Sequence, residues 1–375
     1  MILRPLIYTA LAVPYLSKSL SSTCDAFSPT MTPKIYPYRN VPSFPSENLI
    51  GKRYGKLSRA NPNSHMKVIT LGMAKDSNDN GNEDNHLHPK TKPTIAVVGS
   101  GAVGCYYGAR LWETNLYNMK FFMRGDHYTA SKTKGLNVTS VQGDMFIPPD
   151  QSQHMIYDDT KKIGTVDWVI VALKSTGIEC IPDLLAPLLA KHTRVLAIMN
   201  GLVDDDIVRL LEGQEEGVEP VVLTKCAAVY GGMALLCSNR ISPGHVDHSY
   251  AGKLTASLAR YRAVNDDDND TITEEEHKRA MLDLWGPTKG FEFVYDDNCV
   301  RARWSKALWN LPFNGISVAM NGITVDKIVQ DAGLRELAFR VMDETLVVAN
   351  KDLEVRGYPE EEYLGESEVR RISHD

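Results

Sequence analysis

The sequence predicts an α/β chain: a doubly wound parallel sheet followed by a smaller all-α domain. Three observations predict it. Short β-branched runs at residues 94–98, 120–123, 166–173, 195–199 and 221–223 alternate with helix-compatible stretches, the order that builds parallel sheets through crossover helices. The first run, Thr94-Ile-Ala-Val-Val98, leads straight into a glycine-rich turn. Beyond residue 298 strand signals become scarce, and Leu334, Leu337, Ala338 and Val341 recur at the i, i+3, i+4, i+7 spacing of a helix face.

The 375 residues divide unevenly. Composition is ordinary for a globular protein, 43% hydrophobic and 23% charged with a mean hydropathy of −0.25, enough for about two domains. Net charge is −6, so no basic excess points to nucleic acid. Residues 1–67 hold nine Lys/Arg and only Asp25 and Glu47 as acids, while the remainder carries 32 Lys/Arg against 45 Asp/Glu. Arg4, the mostly apolar run to Leu16 and the Ser-rich basic stretch that follows have the composition of a targeting leader. Ser21-Ser-Thr-Cys-Asp-Ala-Phe27 also resembles the two-part plastid leaders of algae with secondary plastids. An organellar, plastid destination is the expectation, with a disordered extension on a cytoplasmic protein as the alternative. Once that interrupted run is set aside, nothing approaches the ~18–20 consecutive apolar residues of a membrane span, and a soluble mature protein is expected.

Residues 68–93 read as a disordered linker, 74–93 containing almost nothing to bury. The α/β domain is assigned to 94–297 and the helical domain to 298–375. Asn265–Asp270, followed by Glu274-Glu-Glu276, reads as a solvated insertion entering a helix. The six cysteines form no C-x-x-C pair, and His245 and His248, at i, i+3 in an extended segment, point to opposite faces. No metal site is predicted.

Gly99-Ser100-Gly101-Ala102-Val103-Gly104 sits between strand and helix, with Tyr106, Tyr107, Ala109 and Leu111 continuing the helix. This is the opening of a Rossmann-type dinucleotide domain. Gly99 permits the tight turn, Gly101 lets backbone approach a pyrophosphate, and Gly104 lets helix pack on strand. Twenty residues past Gly104, where an NAD site commonly places an acid, stands Arg124. A guanidinium pairs with a 2′-phosphate, so NADP(H) is favoured. Lys174 ends the apolar run 167–173 and places a second cation at a strand's C-terminal end.

Lys306, Asn310 and Asn314 follow one another at i+4 and form a polar stripe among Trp304, Leu308, Trp309, Phe313 and Ile316. Two readings stand for it, a substrate pocket and a hydrogen-bonded core network. Pro312 within the stripe predicts a kink.

Together these segments resemble the ketopantoate reductase (2-dehydropantoate 2-reductase) family. The matches are Gly99–Gly104, Ala172-Leu-Lys174, Ile198-Met-Asn200-Gly201 and Arg303-Trp-x-Lys306-x-x-x-Asn310-x-x-x-Asn314, with a weaker one at Pro243-Gly-His-Val246. The resemblance covers roughly residues 94–350. It implies that Lys306 is the general acid, that Asn310 and Asn314 hold the substrate's hydroxyl end, and that Asn200 contacts cofactor and substrate. It further implies that Arg124 and Lys174 bind the adenosine phosphate end of NADPH. The implied reaction is reduction of ketopantoate to (R)-pantoate, a precursor in pantothenate and coenzyme A biosynthesis, by an enzyme that forms a homodimer in one expectation. Family members continue through Ser-Met-x-x-Asp-like and Thr-Glu-Ile-Asp-like segments, where this chain has Val369–Asp375. A helical domain short of packing helices, with apolar surface exposed, is the expectation, and Glu366 and Ser367 are not assigned the missing roles. Reduction of another small 2-oxo acid and a non-catalytic NADPH-binding regulatory protein are the alternatives.

Overall fold

The computed structural model describes residues 92–214, 223–262 and 272–372. The leader, most of the linker and the acidic run 265–270 lie outside them. The first part runs β1 (Thr94–Val98), α1 (Ala102–Glu113), β2 (Asn118–Phe122), α2 (Gly125–Lys134), β3 (Leu136–Ser140), β4 (Met145–Ile147), α3 (Pro149–Met155) and β5 (Ile156–Tyr157). It continues through β6 (Trp168–Val171), α4 (Ile181–Leu185), β7 (Arg194–Ile198), α5 (Asp204–Glu212), β8 (Ala228–Ser242), β9 (His245–Tyr261), α6 (Glu274–Trp285) and β10 (Phe293–Tyr295). Helices follow: α7 (Cys299–Ala319), α8 (Val325–Gln330), α9 (Ala332–Val355) and α10 (Glu366–Ile372).

Strands β5-β2-β1-β6-β7-β8 lie side by side, all parallel, with the order reversing on either side of β1. Beyond β8 the sheet is mixed. β9 returns antiparallel to β8, takes β3 alongside residues 245–248 and β10 alongside 254–256, and β4 closes the far edge. Residues of β1 alternate between two apolar layers, Ile95 and Val97 packing with Tyr106, Tyr107 and Phe121 on one face, Ala96 and Val98 with Val169, Ile207 and Leu185 on the other. A strand buried on both faces has no reason to alternate apolar with polar, which is why 94–98 reads as an unbroken apolar run.

Several expectations need correction. The run at 221–223 is not a strand start: Val221 and Val222 lie outside the described residues, Leu223 is in a loop, and the strand begins at Ala228. The sheet is parallel only as far as β8. Helix α9 buries Ala338, Met342, Thr345, Ala349 and Leu353, whereas Leu337 is 41% exposed; the buried seam, which packs on α7, lies beside the expected one. Helix α7 runs unbroken through Pro312, which is buried, so the stripe keeps its i+4 spacing although the Leu308 carbonyl loses its usual donor.

His245 bonds Thr139 (3.3 Å) and His248 bonds Ser140 (2.9 Å), and among the described residues no cluster suits a metal. No described helix is long and apolar enough to cross a membrane. Glu274–Glu276 open α6, where Thr273 and Glu276 form a capping box. The helical part exposes Val318, Val347 and Val355.

Two buried histidines are expected to make the fold acid-sensitive. Burial, with Arg240 for His127 and Arg194 for His277, lowers both to about 4 from an ordinary 6.5. Both are neutral in the fold while the unfolded chain protonates near pH 6.5, so their contribution is complete above that pH and is lost as pH falls towards 4. Each contributes up to about 1.4 kcal/mol per pH unit in that window. The urea midpoint is expected to drop between pH 7 and 5, and His277→Gln to flatten the drop; a midpoint unchanged over that range contradicts this.

Candidate active site

Two glycines of the turn after β1, Gly99 and Gly104, tolerate no side chain. Gly99 adopts φ +93°, and a Cβ there would lie 2.7 Å from the Ala172 carbonyl; one on Gly104 would lie 2.5 Å from the Gly99 carbonyl oxygen. A Cβ on Gly101 would meet nothing within 4 Å, so its open side is the side a ligand approaches. Ser100 turns inward, its hydroxyl donating to Val97 O at 3.2 Å, and therefore offers backbone rather than hydroxyl. Ala102 and Val103 begin α1, which has no side-chain cap and no acid in its first turn. The N–H groups of that turn remain available to an anion.

A cleft of about 240 Å³ opens here, lined by Gly99–Gly101, by Arg124 beyond β2 and by Lys174 beyond β6. Of the predicted cofactor residues, Gly99, Ser100, Gly101, Arg124 and Lys174 line this one cleft, whereas Ala102, Val103 and Gly104 lie behind it at the start of α1. The structure adds two that sequence reasoning missed, His127 on α2 and Arg240 on β8. No carboxylate lines the cleft. A diphosphate beside open backbone amides and a further phosphate beside the cations fit this donor set, so the residues present suit a phosphorylated dinucleotide.

Asn200 does not line this cleft. It stands exposed just past the C-terminal end of β7. The last registered pair of β7 and β8 is Ile198 with Gly232; two residues further along each strand lie Asn200 and Ala234. The Ala234 carbonyl accepts a hydrogen bond from the Lys306 Nζ. The C-terminal strand edge therefore carries, in order, Arg124, the glycine turn, Lys174, Asn200 and the Lys306 anchor. That row spans four strand spacings, roughly 19 Å. Burial, then the nearby Arg303 guanidinium, lowers Lys306 to about 8.

Asn310 is half-buried and Asn314 exposed, and among the described residues neither side chain has a hydrogen-bond partner. The core-network reading of the stripe therefore fails for the two asparagines. The buried polar network lies instead at Arg303, about one turn before Lys306 and two before Asn310. The Arg303 Nε donates to Asp204 Oδ2 at 2.9 Å, its Nη2 to Asp204 Oδ1 at 2.6 Å and to Ala197 O at 3.2 Å, and its Nη1 to the Met199 carbonyl. Arg303 and Asp204 are 4% and 8% exposed. The pair clamps α7 onto the ends of β7 and α5. Gly231 makes room for it, since a Cβ there would come within 3.0 Å of both groups and 2.6 Å of Cys299 Sγ. An arginine three residues before the lysine, inside an apolar helix, is the sequence signal for this clamp.

A dinucleotide-type cleft at the reversal of strand order, beside a lysine held at the same sheet edge, defines a Rossmann-domain oxidoreductase with a helical second part. The profile of the family "Ketopantoate reductase PanE/ApbA" matches residues 95–260 and that of its C-terminal domain residues 298–370. The chain is 31% identical over 250 residues to a 2-dehydropantoate 2-reductase of Nostoc sp., covering 66% of this chain and 70% of that protein. The crystal structure of a 2-dehydropantoate 2-reductase from Geobacter metallireducens superposes with a TM-score of 0.59 at 30% identity, over 75% of this chain and 81% of that one. A D-mandelate dehydrogenase structure with NADH shares the fold, with a TM-score of 0.57 at 17% identity over 75% and 79% of the two chains. This chain belongs to the PanE/ApbA ketopantoate reductase family.

Proposed function

We propose that the chain reduces 2-dehydropantoate to (R)-pantoate with NADPH, Lys306 serving as proton donor. The observation that carries this is the Lys306 ammonium group, fixed by the Ala234 carbonyl at the sheet edge and brought to about 8 by burial and Arg303. A donor with that pKa is charged at neutral pH yet gives up its proton readily.

NADPH, when bound, supplies a hydride to the C2 carbonyl carbon of the substrate. Lys306 stabilises negative charge developing on the carbonyl oxygen and passes it a proton, leaving an alcohol and a neutral amine that solvent recharges. Asn310 and Asn314, with unpartnered amides on the same face of α7, hold the substrate's hydroxyl end. Asn200 contacts cofactor and substrate from the neighbouring strand end. Gly99–Gly104 cradle the diphosphate, and Arg124 and Lys174 hold the adenosine phosphate end.

The test is NADPH oxidation by the full chain across a panel of 2-oxo acids. Ketopantoate is expected to give the highest kcat/KM, at least tenfold above 2-oxoisovalerate, which lacks the hydroxyl that the asparagines would read. A higher value for pyruvate or phenylglyoxylate assigns another 2-oxo acid. NADPH binding without turnover on any of them refutes the enzymatic reading and leaves a regulatory, non-catalytic protein.

A further inference from the structure

We infer that Arg240, carried on the β8–β9 hairpin, is a specificity-determining residue of the cofactor site, a third cation that reads the 2′-phosphate of NADPH. The inference rests on the NADPH reading above and extends it to a residue more than a hundred positions from Arg124.

Its basis is how the hairpin is docked. The chain turns from β8 to β9 at Pro243 and Gly244, and β9 pairs through His245–His248 with β3, the strand that follows α2. Gly244, at φ +77°, packs so closely that a Cβ would meet Ala130 of α2 at 3.3 Å. Its N–H donates to His127 Nδ1 at 3.0 Å. That bond places the remaining ring proton of neutral His127 on Nε2, which lies 3.5 Å from Cys105 Sγ on α1. The hairpin turn is therefore fastened to the helix that Arg124 caps, with His127 as the fastening. In consequence Arg240 and Arg124 line one cleft, with Lys174 on its other side.

The electrostatics fit one occupant. Among the described residues, none of Arg124, Lys174 and Arg240 makes a salt bridge, and no acid lines the cleft. Arg240 is close enough to weigh on the titration of both His127 and Cys105. Uncompensated like charges gathered in one cleft repel one another, and a dianionic phosphate relieves that repulsion while accepting bidentate guanidinium contacts. A ribose with free hydroxyls offers no such compensation. Arg240 accordingly acts on the choice between NADPH and NADH and leaves the shared diphosphate and nicotinamide contacts alone.

Equilibrium binding to the full chain, by calorimetry and nucleotide fluorescence, tests this with NADPH, NADH, 2′,5′-ADP and 5′-AMP on wild type, Arg240→Ala and Arg240→Lys. Arg240→Ala is expected to weaken NADPH and 2′,5′-ADP by about tenfold or more, as for loss of a charge-assisted contact. NADH and 5′-AMP stay within twofold, and Arg240→Lys recovers part of the loss. An unchanged NADPH-to-NADH ratio in Arg240→Ala, whether both affinities hold or both fall together, overturns the assignment. Wild-type chain without preference for NADPH refutes the cofactor reading itself and the assignment with it.

Discussion

Under the proposed mechanism, replacing Lys306 with alanine is expected to lower kcat for ketopantoate by about 10²- to 10⁴-fold, with the NADPH dissociation constant staying within about twofold. The asymmetry follows from where the lysine is. It is bound to the Ala234 carbonyl on β8, three strands from the glycine turn after β1, so its removal leaves the phosphate contacts intact. What disappears is charge stabilisation and a proton for the nascent alkoxide, both needed only as the hydride moves. Single-turnover NADPH oxidation, with binding measured separately, checks it. An Ala variant retaining more than a tenth of wild-type kcat would exclude Lys306 as the donor.

The second large effect is on stability. Asp204→Asn is expected to cost about 3–5 kcal/mol, the usual consequence of stranding one member of a buried ion pair, because Arg303 keeps a charge that, among the described residues, Asp204 alone pairs with, at 2.6 Å. Thermal unfolding should move down by roughly 10 °C for a chain of this size. The double variant Asp204→Leu with Arg303→Met should recover much of the loss, since two apolar side chains leave no charge behind. Arg303→Met alone should also raise the pKa of Lys306, for Arg303 is one of the two influences that lower it. Equal melting temperatures for wild type and Asp204→Asn would show that the clamp contributes nothing.

Local chemistry was legible in the sequence and long-range packing was not. Gly99, Gly101 and Gly104 announced the turn because its steric demands fall within six consecutive residues, and the structure shows that demand at Gly99 and Gly104. Arg124 and Lys174 could be placed because each ends an apolar run, and strand ends face one way in a parallel sheet. Lys306, Asn310 and Asn314 were legible as a stripe, but spacing alone left its surroundings open. The missing partners of Asn310 and Asn314, and the burial of Arg303 rather than of them, come from how α7 meets β7 and α5. Arg240 and His127 were invisible for a similar reason. Nothing near Arg240 in the chain marks it, and it lines the cleft on a hairpin whose second strand, β9, pairs with β3 far away in sequence. The strand expected at 221–223 failed because a short β-branched run carries no information about which neighbour it will pair with.

In the proposed reaction Lys306, lowered by burial and Arg303 to a pKa of about 8, protonates the reduced substrate. The pH dependence of kcat for ketopantoate reduction, measured from pH 6.5 to 10 with NADPH saturating, tests it most directly. Lys306 is charged below its pKa and loses its proton above it, so kcat should be level below about pH 8 and then fall tenfold per pH unit. The falling limb should move to higher pH in Arg303→Met and vanish, with most of the rate, in Lys306→Ala. A wild-type rate that stays level to pH 10, or one that rises, would exclude Lys306 as the proton donor.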